Sequence, residues 1–331
     1  MIWCELSHLR KEAVPASASS LTFHHLDDPV PDDGAAPEDR TPVRLVATDI
    51  DGTILPYRGA VSPRTRSALA AVVERGAHLV YATGRPPRWM PPIVEATGQA
   101  GLAICANGAI VVETATGAVV DLVPIVDDLV GHAAAALRRA VPDVRLAVET
   151  TTSFWVEDGY LALRGGGRPE GLTPAQAPGD PRLAGHIEDV PERDGTFKVL
   201  AITGSLTMDE FLAAARDTLE PDLAVTASSP GNAIVELAAP GVSKGAALAT
   251  VAARLGIEAS QVAAFGDMPN DVEMLGWAGH GFAMDGGHPT AIAAATRTAP
   301  PSADDGVARV LEGMVASGRL QPATERADVG R

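Results

Sequence analysis

The sequence predicts a doubly wound, parallel α/β sheet with an inserted, smaller α+β unit. Three observations carry this expectation. Short apolar runs alternate with helical stretches on both sides of residues 124–238, the rhythm of βαβ units joined by right-handed crossovers. Several of these runs end in polar, glycine-bearing clusters, and open α/β sheets bind ligands at the carboxyl ends of their strands. The middle of the chain breaks the rhythm with a hairpin, isolated helices and a proline- and glycine-rich stretch. A length of 331 residues also favours two domains over one.

The elements follow in order. Residues 1–41 are rich in Pro, Ser and acids (Pro15 to Ser20, Asp27 to Gly34) and read as a flexible tail, because they cannot bury enough apolar surface to offset their ordering entropy. Val43 to Thr48 is an apolar run with only Arg44 interrupting it, a strand buried on both faces. Ser62-Pro63 opens a helix as N-cap and first-turn proline, Leu69, Val72 and Val73 give its apolar face, and Gly76 closes it. His78 to Tyr81 is a strand ending at Thr83-Gly84-Arg85, and Ala103 to Cys105 is one ending at Asn107-Gly108. Ile110 to Val112 and Ala118 to Val120 flank Thr116-Gly117 as a hairpin.

The inserted unit is expected at 124–238. It has a helix from Val126 to Ala140, a long loop at 164–181, a strand from Lys198 to Ile202 and a helix from Asp209 to Leu219. The βα rhythm resumes at 239–318, after a first part at 42–123. It brings a helix from Gly245 to Leu255 stopped by Gly256, a strand from Val262 to Phe265 ending at Gly266-Asp267, and a helix starting near Asn270. Helices are also expected at Pro289 to Ala295 and Val307 to Val315, and residues 319–331 read as a second flexible tail.

Composition excludes several functions. A formal net charge of −16 argues against nucleic-acid and anionic-membrane partners, which need a basic face. A locally positive pocket can still take a phosphorylated substrate. Two cysteines, Cys4 and Cys105, are no disulfide framework, so a cytoplasmic location is expected. No apolar run nears the roughly 18 residues of a membrane span, and no signal peptide is evident. His24, His25, His132, His186 and His280 show no metal-binding spacing.

The chemistry-bearing residues cluster at strand ends and helix starts: Asp49 with Asp51, Thr83 with Gly84, Lys244, and Asp267 with Asn270 and Asp271. Two carboxylates held close repel, so the Asp49/Asp51 pair points to a cation or a shared proton and to metal-assisted or acid–base chemistry. Taken singly, these residues also fit blander structures: an Asx-turn after a strand, a turn hydroxyl, a solvated lysine, an N-cap cluster. A dinucleotide-binding dehydrogenase is excluded, since no GxGxxG follows the first strand.

Together, Asp49-Ile50-Asp51-Gly52-Thr53, Thr83, Lys244 and Gly266-Asp267-Met268-Pro269-Asn270-Asp271 resemble, in order, the four motifs of the haloacid dehalogenase-like phosphatases. Ala106-Asn107-Gly108-Ala109, Gly241-Val242-Ser243-Lys244-Gly245 and Asp304 to Ala308 resemble the Cof-type subfamily, and the likeness spans about residues 43–314. The resemblance implies a Mg2+-dependent phosphatase acting on small phosphorylated metabolites of the sugar phosphate, flavin or pyridoxal phosphate kind, with the inserted unit as a cap. It implies Asp49 as nucleophile, forming an aspartyl-phosphate, and Asp51 as acid then base. It implies Thr83, Gly84, Lys244 and Asn270 as phosphate contacts, Asn270 alternatively orienting Lys244. Asp49, Asp51 (through its carbonyl), Asp267 and Asp271 are implied around the metal, Asp271 directly or behind it. A dedicated sugar-phosphate phosphatase, a phosphomutase and a non-catalytic binding protein on the same fold are the alternatives. In the cap, Arg164, Arg168, Arg182 and Arg193 are expected to be solvated or, for one or two of them, to grip a substrate's remote phosphate or carboxylate, and Trp155 to be a core residue or else a substrate platform.

Overall fold

Two sheets organise the protein. The computed structural model describes residues 41–164, 181–190, 195–227 and 233–322. The tail expected at 1–41 (except Thr41), the loop expected at 164–181 (except its ends) and residues 323–331 lie outside these, as do Cys4, His24, His25, Arg168 and Arg193.

The first part of the core holds β1 (Leu45–Thr48), α1 (Pro63–Glu74), β2 (His78–Ala82), α2 (Pro91–Thr97), β3 (Leu102–Cys105), β4 (Ile110–Glu113) and β5 (Val119–Leu122). The inserted part follows, with α3 (Asp127–Ala140), β6 (Arg145–Glu149), β7 (Phe154–Glu157), α4 (Tyr160–Leu163), β8 (Pro181–Ala184), β9 (Lys198–Ile202), α5 (Met208–Leu219), β10 (Ala224–Ala227) and β11 (Ile234–Ala238). The chain then returns with α6 (Lys244–Leu255), β12 (Val262–Gly266), α7 (Val272–Trp277), β13 (His280–Met284), α8 (Pro289–Ala294), β14 (Arg297–Ala299) and α9 (Gly306–Ala316).

The core sheet has the order β14-β13-β12-β1-β2-β3-β4-β5. Pairing is parallel from β14 to β3, and the β4–β5 hairpin adds two antiparallel strands at one edge. β1 lies between β12 and β2 and is packed by helices on both faces, which explains its apolar run. Val46, Tyr81 and Phe265 point to the side packed by Leu69 and Val72 of α1 and Leu311 of α9. Leu45, Ala47, Val80 and Ala264 point to the side packed by Leu248 and Val251 of α6 and Met274 of α7. The α1 start is fixed as expected, with Ser62 Oγ accepting from Thr65 N and Pro63 in the first turn. At α6, Ser243 caps the start by accepting from Ala246 N, and Gly256 ends the helix at φ 70°.

The cap sheet has the order β10-β11-β9-β6-β7-β8, antiparallel except for β7–β8. Leu146, Val148, Val199, Ala201, Val235 and Leu237 pack under α3 and α5. The alternate positions Glu149, Lys198 and Glu236 therefore lie on the opposite face, in strands whose side chains alternate with a period of two. Trp155 joins the cap core from a partly buried position, its Nε1 donating to Ser153 Oγ at 2.9 Å. Arg182 stacks over Trp155, and Arg164 over Trp89.

Residues 319–322, assigned from composition to a flexible tail, are packed instead. Leu320 forms a parallel bridge with Val43 and is buried, and the buried Arg319 reaches the His280 ring. Polar composition hid an anchor that pairs with the chain just ahead of β1. No helix among the described residues is long and apolar enough to cross a membrane.

Candidate active site

At the carboxyl end of the core sheet, four segments converge on one buried patch. Asp49 follows β1 directly, its N–H tied to Phe265 O at 2.9 Å and its side chain almost wholly buried. Lys244 opens α6, and its Nζ lies 2.7 Å from Asp49 Oδ1 and 2.7 Å from Asp271 Oδ1. The other oxygen of Asp271 accepts from the N–H groups of Asp267 and Met268, at 3.0 and 2.9 Å. Asp271 thus shapes the β12–α7 turn and holds Lys244 at once. Gly266 is required there, since a Cβ would press into the Asp271 side chain.

Asp267 completes the patch. Its Oδ2 accepts from Tyr57 Oη at 2.8 Å, and Thr53 Oγ1 lies 3.4 Å from Asp49 Oδ2 and 3.5 Å from Asp267 Oδ1. Gly52, at φ 87°, lets Asp267 and the Tyr57 ring come close to the turn after Asp51. Thr83 is buried with its Oγ1 accepting from Arg85 N at 3.1 Å, and its N–H is bound to Ile104 O.

The expected residues are not all equivalent. Asp51 stands at the rim, its carboxylate gripped by both arms of Arg85 at 2.6 and 2.8 Å. Asn270 does not touch Lys244; its Nδ2 donates to Asn107 Oδ1 at 2.9 Å, and the orienting of Lys244 falls to Asp271 and Asp49. Asn107 and Ala106 hold left-handed backbone, φ 56° and 50°, a strain that marks functional loops. Arg85 and Asn107 had only weak sequence signals. Tyr57, Arg88, Glu149, Lys198 and Glu236 had none, because their partners are distant in the chain.

Charge explains the patch's chemistry. Burial pushes the Asp49 carboxyl up to about 8; Lys244 pulls it down and the carboxylates of Asp271 and Asp267 push it further up. Burial likewise lifts Asp267 to about 6, against the hydrogen bond from Tyr57. Burial would lower Lys244, but Asp271 and Asp49 override it and hold it above its ordinary value. Three carboxylates share one ammonium, so the patch lacks one to two positive charges. Carboxylate oxygens of Asp49, Asp267 and Asp271 come within 4.8 Å of one another, and a hard divalent cation fits such an all-oxygen set. Asp49 and Asp267 are the better ligands, since Asp49 Oδ2 and Asp267 Oδ1 have only the long Thr53 contacts, whereas Asp271 gives one oxygen to Lys244 and the other to two backbone N–H groups.

A second acidic group, Glu157, His186 and Glu188, is half neutralised by Arg138, which bridges both glutamates.

Comparison with known proteins agrees with this geometry. Residues 46–311 match the haloacid dehalogenase-like hydrolase family. The chain is similar to the 5-amino-6-(5-phospho-D-ribitylamino)uracil phosphatase YcsE of Bacillus subtilis, 28% identical over 81% of this chain and 94% of that protein. It is also similar to the pyridoxal phosphate phosphatase YbhA of Escherichia coli, 28% identical over 73% and 87%. The phosphatase BT1666 from Bacteroides thetaiotaomicron shares the fold, with a TM-score of 0.67 over 86% of this chain and 98% of that one at 22% identity. With its motif residues gathered at one end of a parallel sheet beneath an inserted cap, this chain belongs to the haloacid dehalogenase-like hydrolases, in their Cof-type phosphatase subfamily.

Proposed function

We propose that this phosphoric monoester hydrolase releases phosphate from small phosphorylated metabolites in two Mg2+-dependent steps. The observation that carries the reading is the buried Asp49–Lys244–Asp271 array beside Asp267. Phosphoryl transfer demands positioning and charge stabilisation more than covalent chemistry from the protein. Bound Mg2+ would screen the repulsion between Asp49 and the phosphate dianion. Asp49, Asp267 and the main-chain carbonyl of Asp51 would hold it, with Asp271 behind them.

Lys244 aims Asp49 and pulls its raised carboxyl pKa down, bound Mg2+ would complete its ionisation, and the Lys244 charge also faces the incoming phosphoryl oxygens. An Asp49 oxygen forms a bond to phosphorus as the phosphorus–oxygen bond to the leaving group breaks, giving an aspartyl-phosphate. Asp51 gives its proton to the departing oxygen, then takes one from the water that attacks phosphorus and frees Asp49. Asp51 exchanges the Arg85 fork for these roles. The Thr83 hydroxyl, the Gly84 N–H and Asn270 hold the remaining phosphate oxygens. The cap covers the site, excludes bulk water and selects the leaving group. The scarcity of cysteine fits a cytoplasmic location for this enzyme.

The test is phosphate release from a panel of phosphorylated metabolites, with Mg2+ and with chelator, using Asp49→Asn as control. Release that needs Mg2+ and is lost in the variant supports the reading; undiminished release by folded Asp49→Asn protein rules out Asp49 as nucleophile.

A further inference from the structure

The cap face turned toward the core carries a polar row of Glu149, Lys198 and Glu236 that the reaction above does not use. Lys198 of β9 stands opposite Glu149 of β6 in register, and its Nζ pairs with Glu236 Oε2 at 2.9 Å. Lys198 is only 3% exposed, and its second contact leaves the cap: Nζ donates to Gly84 O of the core at 2.8 Å. Gly84 lies in the loop after β2, between Thr83 and Arg85.

The core holds this loop on both sides of Gly84. Thr83 N–H is bound to Ile104 O at 2.8 Å, Thr83 O accepts from Asn107 N–H at 3.0 Å, and Arg85 O accepts from Ala106 N–H at 2.9 Å. Gly84 O turns the other way, into the cap. It shares one rigid peptide plane with Arg85 N–H, which donates to Thr83 Oγ1 at 3.1 Å. The carbonyl and the N–H of a trans peptide point to opposite sides, so Lys198 fixes one side of the plane and Thr83 Oγ1 the other. This sets the Thr83 hydroxyl. With Oγ1 accepting from Arg85 N–H, its own proton is left to donate to a phosphate oxygen. Without Lys198 the plane is tied at one edge only, and glycine offers no Cβ to stop it from turning. A turned plane takes Arg85 N–H away from Thr83 Oγ1. Further along the loop, Arg88 pairs with Glu149 of the cap and stacks on the Phe154 ring at 4.4 Å, a second grip on the same segment.

We propose that Lys198 is a positioning residue that the cap lends to the phosphate site: it clamps the Gly84–Arg85 peptide and so aims the Thr83 hydroxyl. This rests on the phosphatase reading and deepens it. The phosphate site is complete only while the cap is docked on the core, so opening the cap loosens the phosphate itself and couples product release to that motion. Lys198 acts through Gly84 and not on the leaving group, so its effect is the same for every ester.

The experiment measures the competitive inhibition constant of inorganic phosphate, which has no leaving group, and kcat/KM for p-nitrophenyl phosphate and for the best metabolite of the panel, all with Mg2+. Lys198→Met combined with Glu236→Gln removes the ammonium and its counter-charge together, so that no buried charge is left unpaired. Lys198→Gln, shorter and neutral, is the second variant should the first not fold, and thermal melting checks both. The inhibition constant is expected to rise about tenfold or more, and kcat/KM to fall by the same factor for both esters. Lys198→Arg, which keeps a donor for Gly84 O, should recover most of the loss. An unchanged inhibition constant in a folded variant lacking Lys198, whatever its melting temperature, overturns the positioning role. So does a loss that falls on one ester and spares the other. Either result leaves the phosphatase reading standing. No hydrolysis of any ester by the unaltered protein overturns the phosphatase reading and the positioning role with it.

Discussion

Between Asp49 and Asp271 the Lys244 ammonium is enclosed almost completely, so its replacement reaches beyond catalysis. Lys244→Met would leave two buried carboxylates without their counter-charge, which costs about 3–5 kcal/mol when one partner of a buried pair is removed. Denaturant unfolding should show a loss of that size, together with loss of turnover. Added Mg2+ should recover part of the stability, since it supplies charge at the same oxygens; no recovery would argue against cation binding at Asp49. Asp267→Ala should raise the Mg2+ concentration for half-maximal activity strongly, and an unchanged titration would remove Asp267 from the metal site. Tyr57 is exposed, yet its Oη holds Asp267 Oδ2. Tyr57→Phe should weaken Mg2+ binding, measured by calorimetry, by roughly tenfold, the low end for groups that orient a ligand.

At the scale of elements, the loop after β3 fixes where Lys244 stands. Gly108 has φ 109°, and a Cβ there would press into the Ser243 carbonyl just before α6. Gly108→Ala should lower stability by about 1–3 kcal/mol and reduce kcat by shifting the start of α6. A thermal melt and a rate measurement check both, and an unchanged kcat would separate the loop from Lys244. The same scale shows what the sequence could carry. β1, β2 and β12 were legible because buried parallel strands are apolar runs that end at the polar motifs. The edge hairpin was legible from Thr116-Gly117. β13, with His280 and Gly281, and the cap strands β6, β7, β10 and β11 were not. Arg145, Glu149, Glu157 and Glu236 interrupt their apolar pattern, and their alternation is meaningful only once the helices cover one face. α7 starts at Val272, because Pro269–Asp271 forms a separate tight turn first. Asp49, Asp267 and Lys244 could be picked out because their positions at element ends are local properties. The Arg85 fork, the Tyr57 bond and the cap row join residues far apart in the chain, and no spacing in the sequence announces them.

For the whole molecule, the raised carboxyls tie stability to pH and metal. Asp49 and Asp267 bind protons more tightly folded than unfolded, where both sit near 3.8. Their contribution is therefore complete below about pH 4 and is lost as pH rises through about 6 and 8. With chelator the protein should melt at a lower temperature at pH 8.5 than at pH 5.5, and Mg2+ should raise the melting temperature more at the higher pH. Mg2+ binding should also release protons in this range, seen as a buffer-dependent binding enthalpy. An equal Mg2+ effect at both pH values would contradict the assignment of the cation to this patch. The placement of β1 has a different consequence, for synthesis. Leu45 pairs with His78 on one side but with Val262 on the other. While the ribosome makes the cap, β1 has one bare edge in the middle of an unfinished sheet. Newly made chains would be exposed to edge-to-edge association until β12 emerges. Slowing translation across the cap codons should therefore lower the soluble yield, whereas slowing it after β12 should not.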